Sequence, residues 1–210
     1  MEIVIITNGN IYNLKAMKDK IIGKYIICVD GAGRYLMELD IIPNLLIGDL
    51  DSIKPNVLAW MDKNKVPCKS FPSRKNATDT ELALEYAIGL KAKSITIFGA
   101  IGSRQDHTIS NILLLHKLLQ TNIQGKIINE NNVIMMTDSK LEVHGKKGEN
   151  ISIIPLSGSV KGVTLKGLEY PLDNEDLVFG NSLGISNVFT SDMAKITLDQ
   201  GLLLVIKAKD

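Results

Sequence analysis

The sequence has little of several residue types that direct a protein to particular functions. Among its 210 residues there are 2 cysteines, Cys28 and Cys68, whose separation does not match the spacing of zinc ligands. Aromatic residues make up 5% of the chain, too few for a surface on which single-stranded nucleic acid would stack. The formal net charge of +1 provides no basic field for nucleic acid. We therefore expect no nucleic-acid partner and no cysteine zinc site.

Long apolar runs are also missing. The run at residues 3–6 is far too short to cross a membrane and is predicted to form a first buried strand. Because cysteines are few and no signal peptide is recognisable, we expect the protein to be located in a reducing cytoplasm and to have no membrane partner. The GxxxxGK[ST] pattern of P-loop kinases does not occur. With 45% hydrophobic and 22% charged residues, the chain suits a globular protein with a sizeable core.

The first part of the chain alternates apolar runs with helical patterns, which is typical of strand–helix–strand units. Buried strands are predicted at residues 3–6, 25–29, 45–47 and 94–98. Helices are predicted at residues 34–39, 54–63, 78–90 and 106–119. Thr78 and Glu81 form a capping-box pattern at the start of the third helix. These patterns predict an α/β domain over residues 1–125, with a mostly parallel open sheet and flanking helices.

The pattern changes from about residue 126. Short β-prone runs then recur between turn residues such as Lys147-Gly148 and Asp199-Gln200-Gly201. The runs lie at residues 133–137, 151–154, 160–165, 177–179, 186–189, 195–198 and 202–206. Regularly spaced short strands predict an antiparallel sandwich or barrel-like domain. The predicted fold class is therefore α/β followed by all-β, with the second domain at residues 126–210.

Acidic residues follow the predicted strands of the α/β domain. Asp30 follows the second strand, Asp49 and Asp51 follow the third, and Arg104 and Asp106 come shortly after the fourth. Open α/β sheets bind ligands beyond the carboxyl ends of their parallel strands, so these residues are predicted to line one edge. Carboxylates at one edge repel each other unless a cation lies between them. Mg²⁺ carrying a phosphate ester is the simplest such cation, and this indicates nucleotide chemistry.

Asp49, Asp51 and Asp79 are the candidate metal ligands. In an extended chain Asp49 and Asp51 would point to the same side, with Cα atoms roughly 6–7 Å apart. Asp79 falls in the first turn of a predicted helix, where the helix dipole stabilises a carboxylate. A surface turn would explain the first pair, and helix-start chemistry would explain Asp79. The metal hypothesis therefore depends on their joint placement.

The segment from Gly102 to His107 opens a predicted helix and is a candidate phosphate site. Free backbone N–H groups at a helix start favour phosphate, and Arg104 would add two parallel donors. Asp106 would orient Arg104 or a substrate hydroxyl, or simply cap the helix. Histidine suits proton transfer near neutrality, although a histidine at such a position is more often structural. Lys75 is a further candidate phosphate contact, for which a solvated loop charge is the default interpretation.

Together these motifs resemble the thiamin pyrophosphokinase family. The matching stretches are residues 29–33, 43–52, 77–84, 99–112, 167–172 and 180–187. Their order and spacing match over nearly the whole chain, which is more specific than any single motif. The chain departs from the family pattern at Ala32-Gly33, Asn76, Ser103 and Gly184. None of these departures removes an acidic residue or arginine singled out above.

The resemblance implies transfer of a diphosphate group from ATP to the primary hydroxyl of thiamin, giving thiamin diphosphate and AMP. Mg²⁺ held by Asp49, Asp51 and Asp79 would align the triphosphate, while Arg104 stabilises developing charge and Asp106 orients Arg104 or the alcohol. The implied substrate contacts are Asp30, Gly31, Lys75, Thr78, Gly102, Ser103, His107, Tyr170, Ser186 and Asn187. The resemblance also implies a homodimer, with thiamin between the nucleotide-binding domain of one chain and the β domain of the other.

Three other functions stay open at this stage. A related diphosphokinase acting on a hydroxymethylpterin would keep the acidic residues and change the β domain. A catalytically inactive nucleotide-binding regulator would bind ATP without releasing AMP. A two-domain binding protein without catalysis would require every acidic cluster to be a coincidental turn.

Overall fold

The structure is a computed structural model that describes residues 1–74 and 76–209. Lys75, a predicted phosphate contact, lies outside the described residues. The chain divides into two compact units, Met1–Glu130 and Asn131–Asp210. The N-terminal unit ends at Glu130 rather than at the predicted residue 125, because residues 124–128 form one more parallel strand. Within the described part of the chain, no helix is long and apolar enough to cross a membrane.

Among the described residues, the N-terminal unit contains six parallel strands. They are β1 (Glu2–Ile6), β2 (Tyr25–Val29), β3 (Leu45–Gly48), β4 (Cys68–Ser70), β5 (Ser94–Phe98) and β6 (Gln124–Ile128). Their order is β4-β3-β2-β1-β5-β6, and every neighbouring pair is parallel. The direction of the strand order changes at β1, because β2 to β4 extend to one side and β5 and β6 to the other. A crevice at the carboxyl end of β1 is the usual ligand site of such a sheet.

In the part of the unit that the structure describes, six α-helices and a short 3₁₀ turn lie between these strands. The helices are α1 (Leu14–Ile21), α2 (Gly33–Leu39), α3 (Pro55–Lys63), α4 (Asp79–Gly89), α5 (Gln105–Leu113) and α6 (Leu115–Gln120), and the 3₁₀ turn covers Asp30–Ala32. The predicted helix at residues 106–119 is two helices that meet at Leu114. The predicted cap of α4 is confirmed, because the Thr78 hydroxyl accepts a hydrogen bond from the Glu81 N–H at 3.2 Å.

The apolar runs of the N-terminal unit form its core. The side chains of Ile3 to Ile6 in β1 are buried on both faces, as expected for a central parallel strand. Ala83 and Leu84 of α4 are fully buried, in agreement with the predicted apolar stripe of that helix. At Gly33, where α2 packs on α3, a Cβ atom would lie 2.7 Å from Cγ1 of Val57. Close packing of these two helices therefore requires glycine at that position.

The C-terminal unit consists of antiparallel strands, as predicted. They are β7 (Asn132–Thr137), β8 (Lys140–His144), β9 (Asn150–Pro155), β10 (Ser159–Lys166), β11 (Leu172–Val178), β12 (Asn187–Val188), β13 (Met193–Thr197) and β14 (Leu203–Ala208). One set has the order β12-β9-β14-β7 and the other β11-β10-β13-β8. A single apolar cluster contains residues of both sets, including Ile153, Leu165 and Phe189. The unit is thus a β-sandwich with one shared core.

Candidate active site

A cleft of about 510 Å³ opens at the carboxyl ends of the parallel strands in the N-terminal unit. The segments after β1, β2, β3 and β5 line it, together with the starts of α4 and α5. The predicted site residues among its lining are Asp30, Asp49, Thr78, Asp79, Gly102, Ser103, Arg104 and His107. Gly31, Asp51 and Asp106 were also predicted, and they lie next to lining residues without being part of the described lining. The sequence prediction of one shared edge is therefore confirmed for most of the set.

Three carboxylates converge in this cleft. Asp30, Asp49 and Asp79 each offer one oxygen atom, and these atoms all lie within 4.8 Å of one another. Burial is the main cause that raises the pKa of Asp30 to about 6, together with the negative charges of Asp79, Asp49 and Asp51 and against the opposing N–H of Leu50. A divalent cation would relieve this repulsion, because it is attracted to all the charges at once. We refer to Asp30, Asp49 and Asp79 as the carboxylate trio.

Backbone geometry after β2 brings Asp30 into the trio. Asp30 has a φ of 47° and begins the 3₁₀ turn, so the chain leaves the sheet direction directly after β2. Its Oδ1 accepts a hydrogen bond from the N–H of Leu50 at 3.1 Å. The next residue, Gly31, donates its N–H to Oγ of Ser52 at 3.2 Å. These two bonds tie the segment after β2 to the segment after β3.

Of the two interpretations of residues 49–51, an extended segment or a surface turn, the structure has the turn. Leu50 has a φ of 69°, which lies in the left-handed region, and the N–H of Asp51 donates to Oδ1 of Asp49 at 3.2 Å. The segment is therefore a tight turn in which Asp49 and Asp51 do not share one side as in a strand. Asp30 joins Asp49 and Asp79 instead, and Asp51 lies on the exposed side of the turn. Asp51 as a metal ligand stays a prediction.

Arg104 and Asp106 form a bidentate ion pair at the start of α5. Nε of Arg104 donates to Oδ1 of Asp106 at 3.2 Å, and Nη2 donates to Oδ2 at 2.6 Å. The guanidinium, followed by the His107 N–H, lowers the pKa of Asp106 to about 2. The two side chains are thus fixed relative to each other, and the role of Asp106 as the residue that orients Arg104 stays a prediction. Both side chains are exposed at the rim of the cleft.

The loop after β5 uses part of its hydrogen-bonding capacity internally. The N–H of Gly102 donates to Oγ1 of Thr108 at 3.2 Å, so this group is not reserved for phosphate as the sequence suggested. The buried side chain of Asn111 donates to the carbonyl of Ala100 at 2.8 Å. These bonds fix the loop on α5 and position Ser103 and His107 at the cleft.

The loop after β1 also lines the cleft, although the sequence pattern did not predict it. Asn8, Gly9 and Asn10 belong to this lining, and Thr7 precedes them as a buried polar residue. A signal was present, because these polar residues directly follow a buried strand, as Asp30 does. Their side chains carry no charge, which makes them less distinctive in the sequence than the acidic residues.

A second pocket, of about 540 Å³, belongs to the C-terminal unit. Tyr170 and Asn187 line it with apolar residues that include Leu165, Leu183 and Ile185. The buried amide of Asn187 holds the backbone of Tyr170, because it accepts from the Tyr170 N–H at 3.0 Å and donates to the Tyr170 carbonyl at 2.7 Å. The tyrosine side chain itself is exposed.

Ser186, the remaining predicted contact, lies beside this pocket rather than in its described lining. It has a φ of 56°, and its N–H donates to Oγ of Ser152 at 3.1 Å. Ser186 as a ligand contact therefore stays a prediction. Asn187 has a structural role through its hydrogen bonds to Tyr170, and its contact with a ligand also stays a prediction.

Comparison with protein families accounts for both units. Residues 21–127 match the family described as thiamin pyrophosphokinase, catalytic domain, and residues 137–203 match thiamin pyrophosphokinase, vitamin B1 binding domain. The chain belongs to the thiamin pyrophosphokinase family. The predicted family resemblance is thereby confirmed, and the catalytic-domain match covers most of the cleft described above.

Individual relatives agree with this membership. Thiamine pyrophosphokinase of Bacillus subtilis is 35% identical over 187 residues, which cover 88% of this chain and 87% of the relative. A crystal structure of the thiamine pyrophosphokinase of that organism aligns with a TM-score of 0.90 and 31% identity, over 100% of both chains. The thiamin pyrophosphokinase of Geobacillus thermodenitrificans aligns with a TM-score of 0.88 and 28% identity, over 100% of this chain and 98% of that one. The predicted fold class is confirmed by these structures.

Proposed function

We propose that this member of the thiamin pyrophosphokinase family transfers a diphosphate group from ATP to the primary hydroxyl of thiamin, with release of AMP. The observation that carries the proposal is the carboxylate trio in the cleft at the carboxyl ends of the parallel strands, in a chain that matches both the catalytic and the vitamin B1 binding domains of the family. A diphosphate transfer needs a site that neutralises and aligns a triphosphate, and the trio supplies the ligands for such a site.

Mg²⁺ is the cofactor that fits the trio. The donors are carboxylate oxygens within 4.8 Å of one another, and the pKa of Asp30 is raised by burial and by the neighbouring carboxylates. Magnesium prefers oxygen ligands and retains sites for water and substrate phosphates. When bound, it would neutralise the triphosphate and hold it in line for displacement. We assign Asp30, Asp49 and Asp79 as ligands and keep Asp51 as a further candidate.

The side chains at the start of α5 are proposed to act on the transferred group. The thiamin hydroxyl oxygen forms a bond to the β-phosphorus and releases its proton to water. The bond from that phosphorus to the α,β-bridging oxygen breaks, and AMP leaves with that oxygen. Arg104 is placed to stabilise the charge that develops on the phosphate oxygens. Asp106, with a pKa of about 2, is too weak a base to take the hydroxyl proton near neutrality, so we assign it to orienting Arg104.

Thiamin is proposed to bind the pocket of the C-terminal unit. The pocket combines an exposed tyrosine ring, apolar side chains and the amide of Asn187, which suits a flat aromatic ligand with polar edges.

A homodimer in which each thiamin also contacts the nucleotide-binding unit of the second chain remains our proposal for the assembly. Exposed apolar residues of the C-terminal unit support it, among them Val178, Phe179 and Leu183. We also propose that the protein is located in a reducing cytoplasm, because Cys28 and Cys68 are both present as free thiols.

A product assay tests the proposed reaction. The purified protein is incubated with ATP, Mg²⁺ and thiamin, and the products are separated by chromatography. We expect AMP and thiamin diphosphate in equal amounts. Formation of ADP and thiamin monophosphate would contradict diphosphate transfer, and turnover with a hydroxymethylpterin but not with thiamin would identify the pterin enzyme. Binding of ATP without AMP release would identify a regulator.

A further inference from the structure

We infer that the side-chain amide of Asn8 binds the triphosphate of ATP, and that Arg34 positions this amide. The inference rests on the proposed function, because it assigns a further contact for the same nucleotide. Asn8 is a neutral residue in the loop after β1, and it lines the cleft that contains the carboxylate trio. Arg34 belongs to α2 and reaches the loop from outside the cleft lining.

The backbone around Asn8 is held rigidly. The N–H of Gly9 donates to the carbonyl of Gly99 at 2.8 Å, and the N–H of Asn10 donates to the carbonyl of Ile101 at 3.3 Å. The two loops are so close that a Cβ atom at position 9 would lie 2.8 Å from the Ile101 carbonyl oxygen and closer still to that of Gly99. The position of the Asn8 backbone is therefore fixed by the loop after β5 before any ligand binds.

Arg34 determines the orientation of the Asn8 side chain. Its Nη1 donates to Oδ1 of Asn8, and its Nη2 donates to the Asn8 carbonyl at 3.3 Å. Tyr35 supports the arginine, because the guanidinium lies 4.4 Å from the centroid of its ring and Nη2 donates to its hydroxyl at 2.7 Å. The acceptor end of the amide is thus directed to Arg34. The donor end, Nδ2, must point the other way.

The donor end lies beside the acidic part of the cleft. A Cβ atom at position 31 would be 2.6 Å from Nδ2 of Asn8, so the amide packs directly against the backbone of Gly31. Gly31 follows Asp30, a member of the trio. Phosphate oxygens at this place are repelled by the carboxylates and need donors to hold them. An amide N–H₂ supplies donors without adding a positive charge that would compete with the metal ion.

Substitutions that remove the amide of Asn8 or replace it with a charged group test the inference. ATP binding in the presence of Mg²⁺ is measured by isothermal titration calorimetry, which does not depend on turnover. For Asn8→Ala we expect roughly tenfold weaker binding, equivalent to about 1.4 kcal/mol. For Asn8→Asp we expect still weaker binding, because the carboxylate keeps the contact with Arg34 but presents a negative charge to the phosphates. If residue 8 served only to anchor Arg34, Asn8→Asp would bind ATP as tightly as the wild type, and this result would overturn the inference.

A double-mutant cycle tests the role of Arg34. We expect Arg34→Ala to weaken ATP binding several-fold in the wild-type background and to have no further effect in the Asn8→Ala background. Lys24→Ala is the matched control, since it also removes a positive charge, whose ion pair with Glu2 lies at the start of β1 rather than at the loop after it. It should bind ATP within about twofold of the wild type. Additive effects of the Asn8 and Arg34 substitutions, or an equal loss in Lys24→Ala, would overturn the positioning role.

The wild-type protein separates this inference from the proposed function. If it binds ATP but does not convert thiamin, the proposed reaction fails while the Asn8 comparison remains decisive. If it converts thiamin and the Asn8 variants bind ATP normally, the inference fails while the reaction stands. Circular dichroism melts confirm that each variant is folded. Should Arg34→Ala not fold, the comparison of Asn8→Ala with Asn8→Asp still decides whether residue 8 contacts phosphate.

Discussion

Gly48 leaves the space that the carboxylate of Asp30 occupies. A Cβ atom at position 48 would lie 2.6 Å from Cγ of Asp30 and closer still to Oδ1. Gly48 ends β3 and Asp30 follows β2, so the absence of one side chain on one strand determines where the acid after the neighbouring strand can lie. The carboxylate trio therefore depends on a residue that carries no functional group.

Substitution of Gly48 by alanine should displace Asp30 and weaken metal binding. We expect a loss of stability of about 1–3 kcal/mol from the overlap and a fall in kcat of at least roughly tenfold. Gly89→Ala is the control, because no atom lies within 4 Å of a Cβ at that position. The measurements are urea unfolding, Mg²⁺ titration of activity and kcat. Normal Mg²⁺ dependence in Gly48→Ala would show that the position of Asp30 is not important for the metal site.

Replacement of single aspartates should separate the members of the acidic set. Asp49→Asn is expected to lower kcat by roughly a hundredfold or more, equivalent to about 3 kcal/mol, because it removes one charge of the trio. For Asp51→Asn we expect a smaller loss, roughly tenfold, since its side chain lies outside the trio but its charge acts on Asp30. Circular dichroism and Mg²⁺ titration accompany the kinetics. An Asp51→Asn enzyme identical to the wild type would remove Asp51 from the metal site.

The stability of the metal-free protein should depend on pH through Asp30. Its folded pKa of about 6 is raised above the unfolded value of about 3.9, so the folded state retains a proton more readily. The contribution of Asp30 is therefore fully present below about pH 4 and is lost as the pH rises through about 6. Urea unfolding in EDTA should show this trend more strongly in the wild type than in Asp30→Asn. Added Mg²⁺ should restore stability at pH 7, and equal pH dependence of the two proteins would refute the assignment.

Asp106→Asn should distinguish an orienting residue from a base. Because the pKa of Asp106 is about 2, the group is ionised across the working pH range and its loss should not shift the pH profile of kcat between about pH 6 and 9. We expect kcat to fall roughly tenfold as the bidentate contact with Arg104 is weakened. Arg104→Lys should lose more, since a lysine cannot form that contact. Disappearance of an ionisation from the profile of Asp106→Asn would instead identify Asp106 as a base.

Removal of the Asn187 amide should affect thiamin rather than ATP. Asn187→Ala leaves the N–H and carbonyl of Tyr170 without their partner, and also the N–H of Val188, which donates to Oδ1 at 2.9 Å. We expect a stability loss of about 1–3 kcal/mol and a higher KM for thiamin with the KM for ATP unchanged. Ser186→Ala serves as the comparison for a neighbouring exposed residue. An increase in the KM for ATP alone would contradict the assignment of this pocket to thiamin.

Much of the fold could be predicted because its signals are local. The buried strands β2 and β5 have the predicted bounds, since parallel strands covered on both faces appear as continuous apolar runs. The edge strand β4 was missed because its residues are all exposed and carry no such run. Helix α1 was also missed, since half of its residues are charged and only Met17 and Ile21 are buried.

The candidate site was predictable as a region but not as a set of contacts. Residues after parallel strands reach the same edge whatever the details of the loops, so Asp30, Asp49 and Arg104 were predicted to share it. Whether Asp51 shares a side with Asp49 depended on the φ of Leu50, which is 69° and is not indicated by its residue type. The expected free N–H of Gly102 was likewise taken by Thr108, a partner that only folding reveals.

The sequence by itself determined the order of strands and helices, the change from α/β to antiparallel β, and the edge at which acidic and basic residues gather, because these follow from hydrophobic periodicity and strand direction. Tertiary structure alone decided which atoms meet there. Asp30 joins the trio through the space left by Gly48, and Asn8 is oriented by Arg34, more than twenty positions away in the chain. Such pairings depend on backbone angles and on packing between distant segments, and no local pattern encodes them.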